Sequence, residues 1–398
     1  MVELNTLDDY KQTRPQSLEA FEALRRENAS ILASEKEKGR RIIGAYCTYF
    51  PRELILAMGG ISVGLCGTID DPIAIAEKEL PRNLCPLIKS SYGLAISGRC
   101  PYFVLADMVI GETTCDGKKK MFELLAKKDV NNIYVMQLPQ MPDEEASLQL
   151  WISELRRLKT HLENTFAVQI TDDAIREAIR LTNEEARARQ AMFDLNKRVP
   201  AVLSGMDLVN ITFLTGFQAD RHESIRMVEA VAAELEEKAQ NGYAVGTINT
   251  KRILLTGTPV GIGSEKVVEL VEEAGALVVA IETCGGYKTV GLRIDETDLR
   301  DPIVLLAEKY LKIPCSVMSP NVERLALLER MINDFKIDGV IDLTWQACHT
   351  YNVESYEVAR LVEDKLRKPF LHLETDYSQS DRETLRVRIE AFMETIDK

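Results

Sequence analysis

Two doubly wound α/β domains facing one crevice, joined by a helical layer, is the fold that the sequence predicts. Three observations predict it. Short apolar runs alternate with amphipathic stretches over residues 40–142 and again over 250–398, a pattern that specifies parallel strands with crossover helices on both sheet faces. Residues 143–249 keep helical periodicity and hold no convincing strand. Three strand-like runs of the first half also match three of the second in order, which points to internal duplication of a single unit.

The elements follow in chain order. Residues 1–39 form an N-terminal segment in which Phe21, Leu24, Ile31 and Leu32 recur at helical spacing, so a helix is predicted over Ser17–Lys38. Arg41–Cys47 reads as a buried strand. A helix follows from Pro51, where proline suits a first helical turn, and ends at paired glycines. Ile61–Cys66 is the second strand, Asp70–Leu80 and Cys85–Ser97 are helices, and Ala106–Cys115 is the third strand. Asp116–Lys128 is a helix and Asn131–Pro139 the fourth strand. Long amphipathic helices then cover Asp143–Glu163 and Asp172–Arg198, the second started by Thr171. The alternation resumes with Arg252–Gly257, a helix from Ser264, the strand Ala276–Cys284, and a helix from Leu299. A strand at Pro314–Met318, a helix from Asn321 and the strand Asp338–Cys348 come next. A helix near Glu354, the strand Phe370–Asp376 and a helix from Asp381 complete the chain. Arg41–Cys47 matches Arg252–Thr258, Ile61–Cys66 matches Ala276–Cys284, and Ala106–Cys115 matches Asp338–Cys348, with Thr258 standing where the first copy has Cys47.

Composition excludes several classes. The 398 residues carry a net charge of −13, which opposes a nucleic-acid footprint. Apolar runs such as Ala276–Ile281 fall far short of the roughly 20 residues that span a bilayer. The first residues, MVELNTLDDYKQ, are acidic and polar, unlike a secretory signal. A cytoplasmic location is therefore expected, and with it reduced cysteines. The glycines of GTPVGIG (Gly257–Gly263) satisfy neither G-x-G-x-x-G nor the P-loop spacing, so they read as a tight strand-to-helix turn and no ATP site is predicted in this chain.

The eight cysteines carry the chemistry. Ligands of open α/β sheets bind beyond the carboxyl ends of the strands. Cys47, Cys66, Cys115, Cys284 and Cys348 end predicted strands, and Cys85 precedes a helix on the same side. Cys100 comes after that helix, at the far end, and Cys315 opens a predicted strand, a strand length below the crevice. Six cysteines thus converge and two do not. No pair makes a C-x-x-C knuckle, and six thiols suit one zinc poorly. An iron–sulfur cluster, inert thiols and a redox pair all stay open on spacing alone. His349, next to Cys348, is a candidate proton donor, and Glu112 a candidate relay whose pKa burial would raise. Lys89 and Lys288 follow Cys85 and Cys284 and are candidates for offsetting negative charge. The lysines at 118–120 read as an exposed helix face.

The segments CTYFPRELILAMGG, LCGT, LPRNLCPLIKSSYG, ETTCDGKKKMFELL, YVMQLPQM, ETCGG, WQACHTYNVES and LHLETDYSQSDRETLRVRIEAF resemble the 2-hydroxyacyl-CoA dehydratase/benzoyl-CoA reductase superfamily. The resemblance runs from about Arg41 to Asp397 and is nearest to the double-cubane cluster proteins. It implies a 4Fe–4S cluster on Cys85, Cys115 and Cys348, as in dehydratase subunits. Cys47, Cys66 and Cys284 are additions to that pattern and would hold a second cubane, giving an 8Fe–9S double cubane joined by a bridging sulfide. The implied activity is reduction of a small molecule with low-potential electrons from a separate ATP-hydrolysing iron–sulfur activator, in a homodimer. The alternatives are a dehydratase-type subunit acting on acyl-CoA thioesters and a non-enzymatic electron carrier. No basic patch for CoA phosphates is legible in the sequence, and LHLETDYS has no chemical role beyond shaping the cleft.

Overall fold

The structure, a computed structural model, describes residues 13–396. Its eight strands, counted among the described residues, form two four-stranded sheets. The first holds β1 (Ile42–Ala45), β2 (Ile61–Gly64), β3 (Met108–Glu112) and β4 (Ile133–Met136) in the order β2-β1-β3-β4. The second holds β5 (Arg252–Gly257), β6 (Leu277–Ile281), β7 (Gly339–Trp345) and β8 (Phe370–Thr375) in the order β6-β5-β7-β8. Every pairing is parallel, with Ile43 opposite Met108 in one sheet and Leu254 opposite Val340 in the other. The two sheets therefore share one topology, as the repeat predicts. In each, the chain reverses its direction of winding beside the central pair, β1 with β3 and β5 with β7, which is where such sheets bind ligands.

Burial explains the strands. β1, β3, β5, β6 and β7 are buried along their whole length, as expected of parallel strands covered on both faces. On one face of the first sheet, Ile43, Ile110 and Met136 pack with Trp151, Leu155 and Leu158 of the helix Glu145–Phe166. On the other, Val109 packs with Ile88, Met121 and Phe122 from the helices Pro86–Ile96 and Asp116–Lys127. In the second sheet, Ile253, Ile341 and Leu343 face the helices Lys266–Glu273 and Arg382–Ile396, while Leu254, Val279 and Val340 face Val322–Asp334. The N-terminal helix spans Glu19–Glu37 and places Leu32 against Ile42 and Ile61.

The stretch 143–249 is helical, with an isolated antiparallel bridge between Ala201 and Val245. Its packing is divided between the halves. Glu145–Phe166 covers the first sheet, whereas Gly205–Thr215 lies on β6. That helix approaches so closely that a Cβ at Gly205 would stand 2.6 Å from Val278 Cβ. The halves are also tied directly. Thr68 Oγ1 donates to the Ile262 carbonyl (2.7 Å), and Lys309 Nζ stands 2.7 Å from Glu53 Oε1.

One predicted strand is absent. Pro314–Met318 forms turns: Cys315 N–H donates to Ile313 O and Met318 N–H to Cys315 O. The residues that flank it are tied to the other half, where Ser319 N–H donates to Gln140 O and Tyr49 Oη to Ile313 O. The apolar run reflects burial between halves rather than a place in a sheet, an ambiguity that short apolar runs carry.

Candidate cofactor centre

A cavity of about 1200 Å³ opens at the carboxyl ends of both sheets. Seven of the eight cysteines line it, all but Cys100. Cys100 instead starts the helix Pro101–Leu105, its sulfur accepting from Phe103 N–H. All eight thiols are free.

Three of the lining cysteines stand at helix starts: Cys85 before Pro86–Ile96, Cys115 before Asp116–Lys127 and Cys348 before His349–Ala359. The first N–H groups of a helix lack internal partners, and this positive end favours thiolate. A hydrogen bond from Cys348 lowers the Cys85 thiol, the N–H groups of Ile88 and Leu87 help, and burial opposes. Burial raises Cys115, while the N–H groups of Lys118 and Gly117 pull it back.

Cys47 follows β1, Cys284 follows β6, and Cys315 lies in the turn after the helix Pro302–Leu311. Burial pushes the Cys47 thiol well up, and Glu112, Cys284 and Cys315 add to this against Lys118. Burial likewise raises Cys284 to about 11, with Cys315 and Cys66 contributing and Lys288 opposing. Cys315 is thus a neighbour of Cys47 and Cys284 on the cavity wall, not a strand length below it, because the strand expected to carry it away does not form. Cys66 also lines the cavity, but its thiol donates to the Tyr46 carbonyl at 3.0 Å. The chain after it is pinned, since Gly67 N–H donates to Ser91 Oγ and a Cβ at Gly67 would stand 2.6 Å from Ser91 N.

Residues 47–396 match the family described as 2-hydroxyglutaryl-CoA dehydratase, D-component. The chain belongs to this family. Among its relatives, YjiM of Escherichia coli (strain K12), a proposed dehydratase subunit, is 42% identical over 96% of this chain and 98% of that protein. The (R)-phenyllactyl-CoA dehydratase beta subunit of Clostridium sporogenes is 25% identical over 92% and 94%. A benzoyl-CoA reductase subunit of Thauera aromatica is 21% identical over 93% and 92%. These matches put this family member in the 2-hydroxyacyl-CoA dehydratase/benzoyl-CoA reductase superfamily, whose named members here are enzyme subunits.

The other predicted residues fall in mixed places. His349 lies exposed on the cavity rim. Glu112 is fully buried with neither carboxylate oxygen hydrogen-bonded, and burial raises it to about 7 against the pull of Lys118. It stands behind the lining rather than on it. Lys288 is fully buried, 3.3 Å from Glu282, and donates to Tyr351 Oη at 2.6 Å. Burial opposes its charge, but Glu282, Cys284 and Cys315 outweigh this and raise it. Lys89 turns away to Glu77 (2.8 Å) and the Arg82 carbonyl and does not line the cavity. Among the described residues, no three His, Cys, Asp or Glu side chains converge closely enough to share one metal ion.

Sequence reasoning missed five residues. Lys118 is buried and donates to the Tyr46 carbonyl. Burial opposes its charge, yet Cys47, Cys66, Glu112 and Cys115 outweigh it and raise it. Tyr377, from LHLETDYS, is buried beside Cys85, Cys66 and Cys348 and donates to Gly67 O; the unexplained motif was its signal. Arg52, Arg189 and Arg221 meet on the cavity wall from three separate helices, and no local pattern announces them.

Proposed function

We propose that this chain is an iron–sulfur enzyme that reduces a small molecule at a double-cubane 8Fe–9S group held in the cavity. The observation that carries the reading is seven thiols drawn from both halves around one cavity, with Lys118 and Lys288 buried among them. Thiolates are the ligands of iron–sulfur groups, and buried cations offset an anionic cluster, so the donor set fits. Cys85, Cys115 and Cys348 would hold one cubane. Cys47 and Cys284 would hold the other; the family resemblance gives the third place to Cys66, and the placement of Cys315 beside Cys47 and Cys284 favours Cys315. The α/β units of 40–142 and 250–398 bring these residues together, and the helical layer of 143–249 closes their flank.

When bound, the group supplies low-potential electrons; they would come from a separate ATP-hydrolysing iron–sulfur partner. The chain's own residues do the rest. Lys118 and Lys288 keep their charges inside the wall. Glu112, which burial raises to about 7, can take up and release a proton near neutral pH, and His349 stands at the rim. The working form is a homodimer in the reducing cytoplasm.

A second reading, a dehydratase-type subunit with one 4Fe–4S group, is favoured by the relatives' names and by the three cysteines at helix starts. Anaerobic purification with iron and sulfide counts separates the two: about eight irons per chain supports the first, about four the second, and none sinks both. Cys315→Ser should lower the iron count more than Cys66→Ser, and Cys100→Ser should leave it unchanged. Reoxidation of the reduced protein without any substrate dependence would favour an electron carrier.

A further inference from the structure

Resting on the reading of this cavity as a reaction site, we propose that it also contains a subsite for the oxyanionic end of the substrate, a carboxylate or phosphate, built from Arg52, Arg189 and Arg221. The chain as a whole carries −13, yet its cavity is lined by seven lysines and arginines against two carboxylates, Asp116 and Glu185. Three of those cations share one wall. Arg52 belongs to the helix Arg52–Ala57, Arg189 to Asp172–Asp194, and Arg221 opens Arg221–Gln240.

Glu185 is the carboxylate that serves this group. Arg52 Nη2 lies 2.7 Å from its Oε2 and Arg221 Nη1 3.3 Å from its Oε1. Arg221 also donates to the carbonyls of Thr215 and Gln218 and is held as part of the wall. Arg189 differs. It donates to the Gly285 carbonyl, and among the described residues its other N–H groups, of the five a guanidinium carries, meet no hydrogen-bond acceptor and no carboxylate within ion-pair distance. Burial lowers it to about 10, Glu185 only partly restores it, and Arg52 and Arg221 push it down further. Lys309, close by, is already paired with Glu53. The wall therefore keeps an unmatched cation whose planar fork suits bidentate oxyanions.

The cluster is not the anion that this wall awaits. Lys118 has Cys47, Cys66 and Cys115 as charged neighbours, and Lys288 has Cys284 and Cys315. The charged neighbours of Arg189 are Glu185, Arg52 and Arg221, with no thiol among them. Yet its anchor, Gly285, directly follows Cys284, so an anion held by Arg189 lies alongside the thiol-lined part of the cavity. An anchored oxyanion would set the rest of a small substrate against the reacting end.

The test is equilibrium dialysis of the anaerobically purified holoprotein against radiolabelled inorganic phosphate and, separately, succinate, with iron counted in the same samples. Saturable binding of about one oxyanion per chain is expected. Arg189→Gln should weaken it by about tenfold to a hundredfold, the loss of charge-assisted hydrogen bonds, while iron content stays at the wild-type value. Arg189→Lys, which keeps the charge and loses the fork, should fall between the two; it and Arg52→Gln read the same subsite if Arg189→Gln does not fold. Tighter phosphate assigns a phosphorylated substrate, and tighter succinate a carboxylate. No saturable binding of either probe overturns the subsite, as does an Arg189→Gln protein that loses iron but binds oxyanions normally. Oxyanion binding without any iron would instead retain the subsite and sink the cluster reading.

Discussion

Lys118 and Lys119 are adjacent in sequence and opposite in environment. On a helix, neighbouring residues point about 100° apart, so a run of three lysines does not share one face. Lys119 pairs with Asp116 at 2.7 Å where both line the cavity but stay open to solvent, and Lys120 pairs with Glu123 at 2.7 Å on the surface, while Lys118 is buried in the cavity wall. Sequence alone puts the whole triplet on an exposed face because charge runs are solvated as a rule, and a third of that expectation is wrong for a geometric reason. Removing the buried charge has a defined consequence. In iron-free protein, Lys118→Met should move the pH midpoint for iodoacetamide alkylation of Cys66 and Cys115 upward, on the order of one unit, and Lys119→Met should leave it unchanged. Equal midpoints in wild type and Lys118→Met would show that the lysine does not act on the thiols. The strand-end cysteines were legible because strand direction alone fixes which end carries them. Cys315 was not, since its position depends on partners supplied by the other half.

At the scale of elements, what the sequence recorded best was alternation, and what it recorded least was how helices dock. The four strands of each half follow from apolar runs between turn residues. Gly257, for example, ends β5 with φ +106°, where a Cβ would stand 2.2 Å from the Leu343 carbonyl oxygen. No such signal shows that Gly205–Thr215 would be clamped by the helix Lys266–Glu273. There Glu272 is buried and accepts from Gly205 N–H. Burial raises its pKa to about 8, and the Gly205 N–H only partly offsets this. The sign of the effect follows. Between about pH 4.5 and pH 8 the folded protein binds more protons here than the unfolded chain, so this contact loses stability as pH rises through that window. Glu272→Gln keeps an acceptor for Gly205 and carries no charge. Urea unfolding should find the variant gaining on wild type as pH rises from about 5 to about 8.5, by a few kcal/mol at the upper end. A gap that stays constant with pH would place the Glu272 pKa near its ordinary value.

For the whole molecule, duplication and charge act together. Two sheets of one topology put their carboxyl ends around one cavity, and each copy contributes cysteines at matching places: Cys66 with Cys284 after the second strand, Cys115 with Cys348 after the third. The cavity also gathers like charges from an otherwise acidic chain. Buried cations without partners are costly, so an anionic occupant should stabilise the fold well beyond its own ligands, since a group that binds the native state and not the unfolded one raises stability by linkage. Stripping iron anaerobically with a chelator should therefore lower the melting temperature. It should also raise amide exchange in segments that reach across the cavity, above all 66–68 and 313–319, because these are tied to the opposite half by Tyr377, Tyr49 and Gln140. Strand β7, buried at every residue, should keep its protection. Identical melting and identical exchange with and without iron would mean that the cavity thiols do not hold the metal, whatever its amount.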